Sequence, residues 1–217
     1  MKIAILGGTG AEGSGLAYRW AAKGHEVVLG SRSAERAEAK SAEMRATLSD
    51  GVSLRGMDNS SATAWAEIVV LSVPYSGQER TLAALMDELA GKIVLTVVVP
   101  LGPKVARVNR LPSGLSAAEE AQKQLGDSAA VVAAFQNISA HHLMDLEHEI
   151  DCDVLVCGDK KIHKEPVYQL VKDAGMRPVN AGSLINSSVA EGLTSLLIGI
   201  NIRNKVKNAG IRITGIG

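Results

Sequence analysis

MKIAILGGTGAEGSG, residues 1–15, is the stretch whose reading decides the fold. Lys2, Ile3, Ala4, Ile5 and Leu6 read as a short buried strand. Gly8-Thr9-Gly10-Ala11-Glu12-Gly13 follows at once and fits G-x-G-x-x-G. Leu16, Ala17, Trp20 and Ala21 then recur at helical spacing until Gly24. Strand, glycine turn and helix in that order form the context in which this spacing holds a dinucleotide. Gly8 is expected to make the tight turn, Gly10 to let the backbone approach a pyrophosphate, and Gly13 to let helix and strand pack closely. The free N–H groups and positive dipole end of the helix then face the anion. A carboxylate beside a pyrophosphate repels it, so Glu12 is expected to point outward.

Working outward, the second apolar run is 26–29, which leads to Gly30, Ser31 and Arg32. An NAD-selective site carries an acid here for the ribose 2′-hydroxyl. This chain has a hydroxyl at Ser31 and guanidinium groups at Arg32 and Arg36. A guanidinium fork suits a phosphate, so the expected cofactor is NADP.

Residues 34–48 read as a surface helix, 52–57 as a strand and 60–65 as a short helix. The continuous apolar runs at 68–74 and 92–100 are what strands buried on both faces require. They end in Pro74 and Pro100, at the strand ends that face the ligand crevice of an open parallel sheet. One helix is expected over 78–89. Residues 101–116 form a long irregular segment with Lys104, Arg107 and Arg110, and loops of that length are often functional. A basic lid over an anionic ligand and a solvated loop both fit it. A helix at 117–125, strands at 129–136 and 153–157, a helix at 162–174 and a strand at 177–180 follow. The last helix, 186–204, has an apolar stripe of Val189, Leu193, Leu196, Leu197 and Ile200. Gly192 and Gly199 share one of its faces. Each costs about 1 kcal/mol against alanine, a cost that close packing or contact with a second copy would offset.

The chain of 217 residues carries 46% hydrophobic residues, enough for one sizeable core, and no linker divides it. Net charge is zero and aromatics are 3%, a poor composition for nucleic-acid binding. The first apolar run is too short for a signal peptide, and no run approaches a membrane span. A soluble, cytoplasmic protein is expected. Cys152 and Cys157 read as core thiols rather than a disulfide framework. His141, His142, Asp145 and His148 cluster in sequence but follow no standard ligand pattern. They read as a solvated face, with no metal expected. No residue presents itself as a catalytic acid, base or nucleophile.

Four stretches together resemble the NADPH-dependent reductases of the deazaflavin coenzyme F420. They are the N-terminal GGTG-x-x-G, the Gly30-Ser31-Arg32 strand end, the Pro74 and Pro100 strand ends, and residues 154–159 read with Arg177-Pro178 to Ala181-Gly182. The resemblance implies an α/β, Rossmann-like, doubly wound and mostly parallel sheet. Extra C-terminal strands and a long C-terminal helix complete the fold, which is usually a dimer. It implies one domain over 1–217, with a core of 1–137 and an extension, 138–217, completing a substrate pocket. By position it sets NADP against Thr9, Gly10, Ala11, Glu12, Ser31, Arg32 and Arg36, with the nicotinamide near Pro74 and Val98 to Pro100. The deazaflavin, a small-molecule substrate, falls against Thr9, Gln136, Ile138 and the C-terminal segment. Archaeal members carry histidine where this chain has Gln136 and arginine where it has Ser188. Hydride transfer between NADP(H) and the deazaflavin is the implied activity. Another NADP-dependent reductase, of imines, ketones or ferric chelates, or a non-enzymatic NADP sensor, fits the residues too.

Overall fold

Strand β1 (Lys2–Leu6) occupies the middle of a six-stranded sheet in the computed structural model, which describes residues 1–216. Its position follows from its residues. Ile3 and Ile5 enter one apolar layer, Ala4 and Leu6 the other, and all four are fully buried. Side chains alternate along a strand, so a run without polar residues must be covered on both faces. Around β1 the order is β3-β2-β1-β4-β5-β6 and every pairing is parallel. The strands are β2 (Glu26–Ser31), β3 (Leu54–Asp58), β4 (Ile68–Leu71), β5 (Ile93–Thr96) and β6 (Ala130–Ala133). This is the Rossmann-like, doubly wound arrangement.

One layer is built from helices α1 (Ala11–Ala22), α2 (Ala34–Arg45) and α7 (Lys161–Asp173), with Leu16, Trp20, Met44, Val167 and Leu170 at its centre. The other contains α3 (Asn59–Trp65), α4 (Tyr75–Ala83), α5 (Met86–Leu89) and α6 (Ala117–Leu125), with Ala62, Leu82, Leu89 and Ala121 buried. The single helix expected over 78–89 is broken. Leu85, at φ −127° and ψ 18°, is buried at the break between α4 and α5. No glycine or proline marks the break, so helical spacing alone runs through it.

Beyond β6 the chain adds β7 (Asp153–Val156) and β8 (Arg177–Asn180), a separate parallel pair linked through α7. Among the described residues one antiparallel bridge, Ala133 to Cys157, joins them to the main sheet. Strand β6 is shorter than the expected 129–136. Phe135 sits at φ +74° while fully buried, and this turns the backbone out of the sheet. A left-handed conformation costs an L-residue about 1–2 kcal/mol. The edge-on contact of Phe135 with Trp20, at 5.9 Å between ring centres, holds it there.

The long helix α8 (Ser187–Asn204) buries only part of its expected stripe, with Leu197 buried and Leu193 and Ile200 half-buried. Ala190, Glu191, Ser195, Leu197 and Gly199 face inward. Val189 and Leu196, members of the expected stripe, are 64% and 50% exposed, and Ile202 is 63% exposed. Gly192 and Gly199 face Val108 and Ala106 of the 101–116 loop at ordinary contact distance, rather than another helix. Among the described residues, no helix is long and apolar enough to cross a membrane.

Candidate functional site

Parallel strands in one sheet bring all their C-terminal ends to one edge, and loops leaving that edge define a crevice. Here β1 runs into Gly7 to Gly10, β2 into Ser31 and Arg32, β4 into Ser72 to Pro74, β5 into Val97 to Pro100, and β6 into Phe135 and Gln136. Residues chosen from separate parts of the sequence therefore share one rim.

The glycine turn is more crowded than its spacing suggests. The residue with positive φ is Gly7, at +78°, not Gly8. A Cβ on Gly7 would lie 2.4 Å from the Ser72 carbonyl oxygen. The turn role assigned to Gly8 thus belongs to Gly7. Gly8 is needed for space, since a Cβ there would meet the Ile5 carbonyl at 2.8 Å. Gly13 packs against Gly8 and the Ser72 hydroxyl, as close helix–strand packing requires. Gly10 is the N-cap of α1 and among the described residues no side chain caps that helix, so its first-turn N–H groups are open to an anion. Thr9 is half-buried, while Gly10 and Ala11 are exposed.

Glu12 departs from expectation. It is half-buried in the first turn rather than held out in solvent. Burial pushes its carboxyl up to about 8. A neutral carboxylic acid repels no pyrophosphate and can donate a hydrogen bond.

At the end of β2, the Ser31 hydroxyl accepts from the Ser33 N–H at 3.3 Å, and Ser33 caps α2 by accepting from the Arg36 N–H. Arg32 and Arg36 are exposed, and among the described residues neither guanidinium has a hydrogen-bonding partner or an ion pair. Two unpartnered cations on one turn suit a phosphate monoester.

On the other side of the crevice, Pro74 is exposed and Pro100 buried. Val98 is 3% exposed and belongs to the core, so it offers only its backbone to a ligand. Asn109 donates to the Pro100 carbonyl at 3.0 Å, tying the 101–116 loop back to the strand end. Between this loop and α8 lies a cavity of about 410 Å³, lined by Val99, Pro100, Arg110, Leu115, Ser188 and Glu191 among others. Lys104, Arg107 and Arg110 are exposed along the loop. A larger, open groove of about 950 Å³ beside β6 is lined by none of the site residues chosen from sequence.

Gln136 is buried. Its amide donates to the Thr96 carbonyl at 2.8 Å, its side-chain oxygen has no partner among the described residues, and its own carbonyl accepts from Thr194. Ile138 packs half-buried against the core. Its neighbour Asn137 pins the turn to β7, donating to the Asp153 carbonyl at 2.6 Å.

Sequence reasoning missed Glu191. Its carboxyl oxygens accept from the Ala117 and Ala118 N–H groups at 2.9 and 3.0 Å, closing the N-terminus of α6 from 73 residues away. Ser116 and Glu119 complete that cap. Burial raises the Glu191 carboxyl to about 7. So α6 is sealed where α1 is open. No sequence signal near 117 points to Glu191, because capping from another helix is a tertiary event.

Residues 2–100 match the family described as NADP oxidoreductase, coenzyme F420-dependent. The chain is 43% identical over 223 aligned positions to the F420-dependent NADP reductase of Methanothermobacter thermautotrophicus, covering 100% of this chain and 96% of that one. It is 42% identical to the protein of the same name from Methanocaldococcus jannaschii, covering 100% and 99%. A crystal structure from Arthrobacter sp. FB24, described as a candidate F420-dependent NADP reductase, superposes with a TM-score of 0.82 at 26% identity, covering 99% of both chains.

Proposed function

This chain belongs to the family of F420-dependent NADP reductases, and from that we infer an oxidoreductase that transfers a hydride between NADP(H) and coenzyme F420. The observation that carries the reading is the pairing of an uncapped α1 N-terminus with the unpartnered guanidinium groups of Arg32 and Arg36 on the same rim. In this reading Gly8, Thr9, Gly10, Ala11, Glu12 and Gly13 hold the pyrophosphate. Ser31, Arg32 and Arg36 take the 2′-phosphate. Pro74, the Val98 backbone and Pro100 border the nicotinamide. Thr9, Gln136 and Ile138 contact the deazaflavin, and the 138–217 extension completes its pocket. Arg110 and its neighbours supply positive charge toward an anionic ligand in the adjoining cavity.

When bound, the two cofactor rings themselves give and accept the hydride. The protein's part is to bind, align and exclude water. The backbone of the Gly7–Gly13 turn would hold the nucleotide, and the segment from Val97 to Pro100 after β5, together with the turn at Phe135, would border the rings. No side chain is assigned a proton transfer. A homodimer formed through the exposed apolar side of α8, at Val189, Leu196 and Ile202, and a cytoplasmic location complete the reading.

NADPH deuterated on one or the other face of C4 tests it. The deazaflavin accepts at carbon, so deuterium delivered directly stays in the product. Mass spectrometry should find labelled, reduced deazaflavin from one face only, in ordinary water. Product without deuterium from either face overturns direct transfer, and no turnover overturns the assignment of substrate.

A further inference from the structure

Away from the crevice, the described residues contain one group of three ligand-type side chains that converge. His142, Asp145 and His148 place ligating atoms within 4.8 Å of one another. Beyond the single helical turn Ala140–His142 the segment is irregular, so the convergence depends on the path of the loop. That path is set from beneath. Arg19, near the end of α1 and 5% exposed, donates to the carbonyl oxygens of Leu143 at 2.9 Å, of His142 and His148 at 3.1 Å each, and of Asp145. Four loop carbonyls, besides that of Ala174, are thus drawn to one buried cation.

The rings of His142 and His148 stack with centres 3.8 Å apart and 19° between their planes. Both are half-buried, while Asp145 is exposed. Among the described residues neither imidazole has a hydrogen-bonding partner. The Asp145 carboxylate accepts from the Glu147 N–H at 3.2 Å, which orients it. Imidazole lone pairs lie in the ring plane, so the stacked rings do not yet aim at one point. With no hydrogen bond holding either ring, one turns about its side-chain bonds to bring both nitrogens and the carboxylate onto a shared ion.

We propose that His142, Asp145 and His148 bind one divalent transition-metal ion of the zinc type. Two nitrogens and one carboxylate oxygen match the ligand preferences of such ions, and remaining positions go to water. Because Arg19 already fixes the backbone, binding need not order the loop. The ion acts as a clamp. The adjoining hollow of about 190 Å³ is shared by Ser139, His142 and His148 with Asn208 to Gly210 of the C-terminal segment, and Ser139 donates to the Lys207 carbonyl at 2.7 Å. It stands apart from hydride transfer. Arg19 lies nine residues along α1 from Gly10, about 13 Å at the helical rise.

The test is calorimetric titration of the chelator-stripped full chain with zinc, alongside visible spectroscopy with cobalt(II) as a probe ion. One ion per chain should bind, and zinc should raise the melting temperature. His142→Gln and His148→Gln should each weaken binding at least about tenfold, since even residues that merely orient ligands are worth that much. Both variants change partly exposed side chains on a loop held through its backbone. Their metal-free melting temperatures should equal the wild type's. His163→Gln, at a histidine elsewhere, should bind as the wild type does. Absence of stoichiometric binding overturns the proposal. So does binding that His142→Gln and His148→Gln leave unchanged, or that His163→Gln abolishes.

Discussion

Replacing Asp153 with asparagine tests how the C-terminal segment is held. The Asp153 side chain is fully buried at the start of β7. It accepts from Arg177 Nε at 2.7 Å, from Arg177 Nη2 at 2.6 Å and from the Ile213 N–H at 2.6 Å, with Arg212 at 3.5 Å. Arg177 also donates to the carbonyls of Ile213 and Ile216. One carboxylate and one guanidinium therefore bind residues 211–216 to β7 and β8. The Arg177 hydrogen bonds, foremost among the causes, hold the carboxyl down at about 2 against an ordinary 3.8. A depressed folded-state value stabilises the fold above the unfolded value, and that stability is lost as pH falls through the folded one. Nearly two pK units at about 1.4 kcal/mol each come to about 2.5 kcal/mol at neutral pH. Leaving Arg177 without its partner pushes toward the roughly 3–5 kcal/mol of broken buried pairs. Its side chain is 31% exposed, however, so water replaces part of the loss. Asp153→Asn should therefore cost about 2–3 kcal/mol at pH 7 by urea unfolding. The gap from wild type should fall by roughly half at pH 3. Amide exchange at Ile213, whose N–H donates to the Asp153 carboxylate, should accelerate. A gap unchanged with pH, or an Ile213 amide that stays protected, would refute the reasoning.

Arg32→Ala should weaken NADPH binding about ten- to a hundredfold, the worth of one charge-assisted hydrogen bond, and leave NADH binding nearly unchanged. Equal weakening of both in fluorescence titrations would mean that Arg32 serves the fold. Glu191 gives the opposite pH signature to Asp153. Its folded-state value is raised from 4.5 to about 7, so its contribution is fully present below about 4.5 and declines as pH rises through 7. The wild type should lose up to about 3 kcal/mol relative to Glu191→Gln between pH 4.5 and pH 8. A flat difference across that range would show that the buried carboxyl titrates normally.

The sheet was readable because its strands are unbroken apolar runs and its first turn leaves little room for any residue but glycine. The cofactor preference was readable because a missing acid and two arginines lie within six residues of Ser31. Features that failed to show depend on partners distant in sequence. Phe135 is kept in a left-handed conformation by Trp20, more than a hundred residues away. Glu191 caps a helix it does not belong to. The stripe on α8 is split between core and solvent, with Leu197 buried and Val189 and Leu196 exposed, because periodicity reveals that a helix has two sides and not where the core meets them. Glu12 carries a charge on paper, and only its burial in the folded first turn makes it an acid that holds its proton near neutrality.

The Glu12 carboxyl has a consequence for the heat of cofactor binding. With a value of about 8, it is shared between its two protonation states in mildly alkaline solution. A pyrophosphate brought to the same helix end favours the neutral form, so NADP should arrive together with a fraction of a proton drawn from the buffer. The apparent enthalpy at pH 8 would then include the buffer's own heat of ionisation. It should differ between Tris and a buffer whose ionisation heat is small, and the difference should vanish in Glu12→Gln. Equal enthalpies in both buffers for the unaltered protein would mean that Glu12 keeps its protonation state when the nucleotide binds.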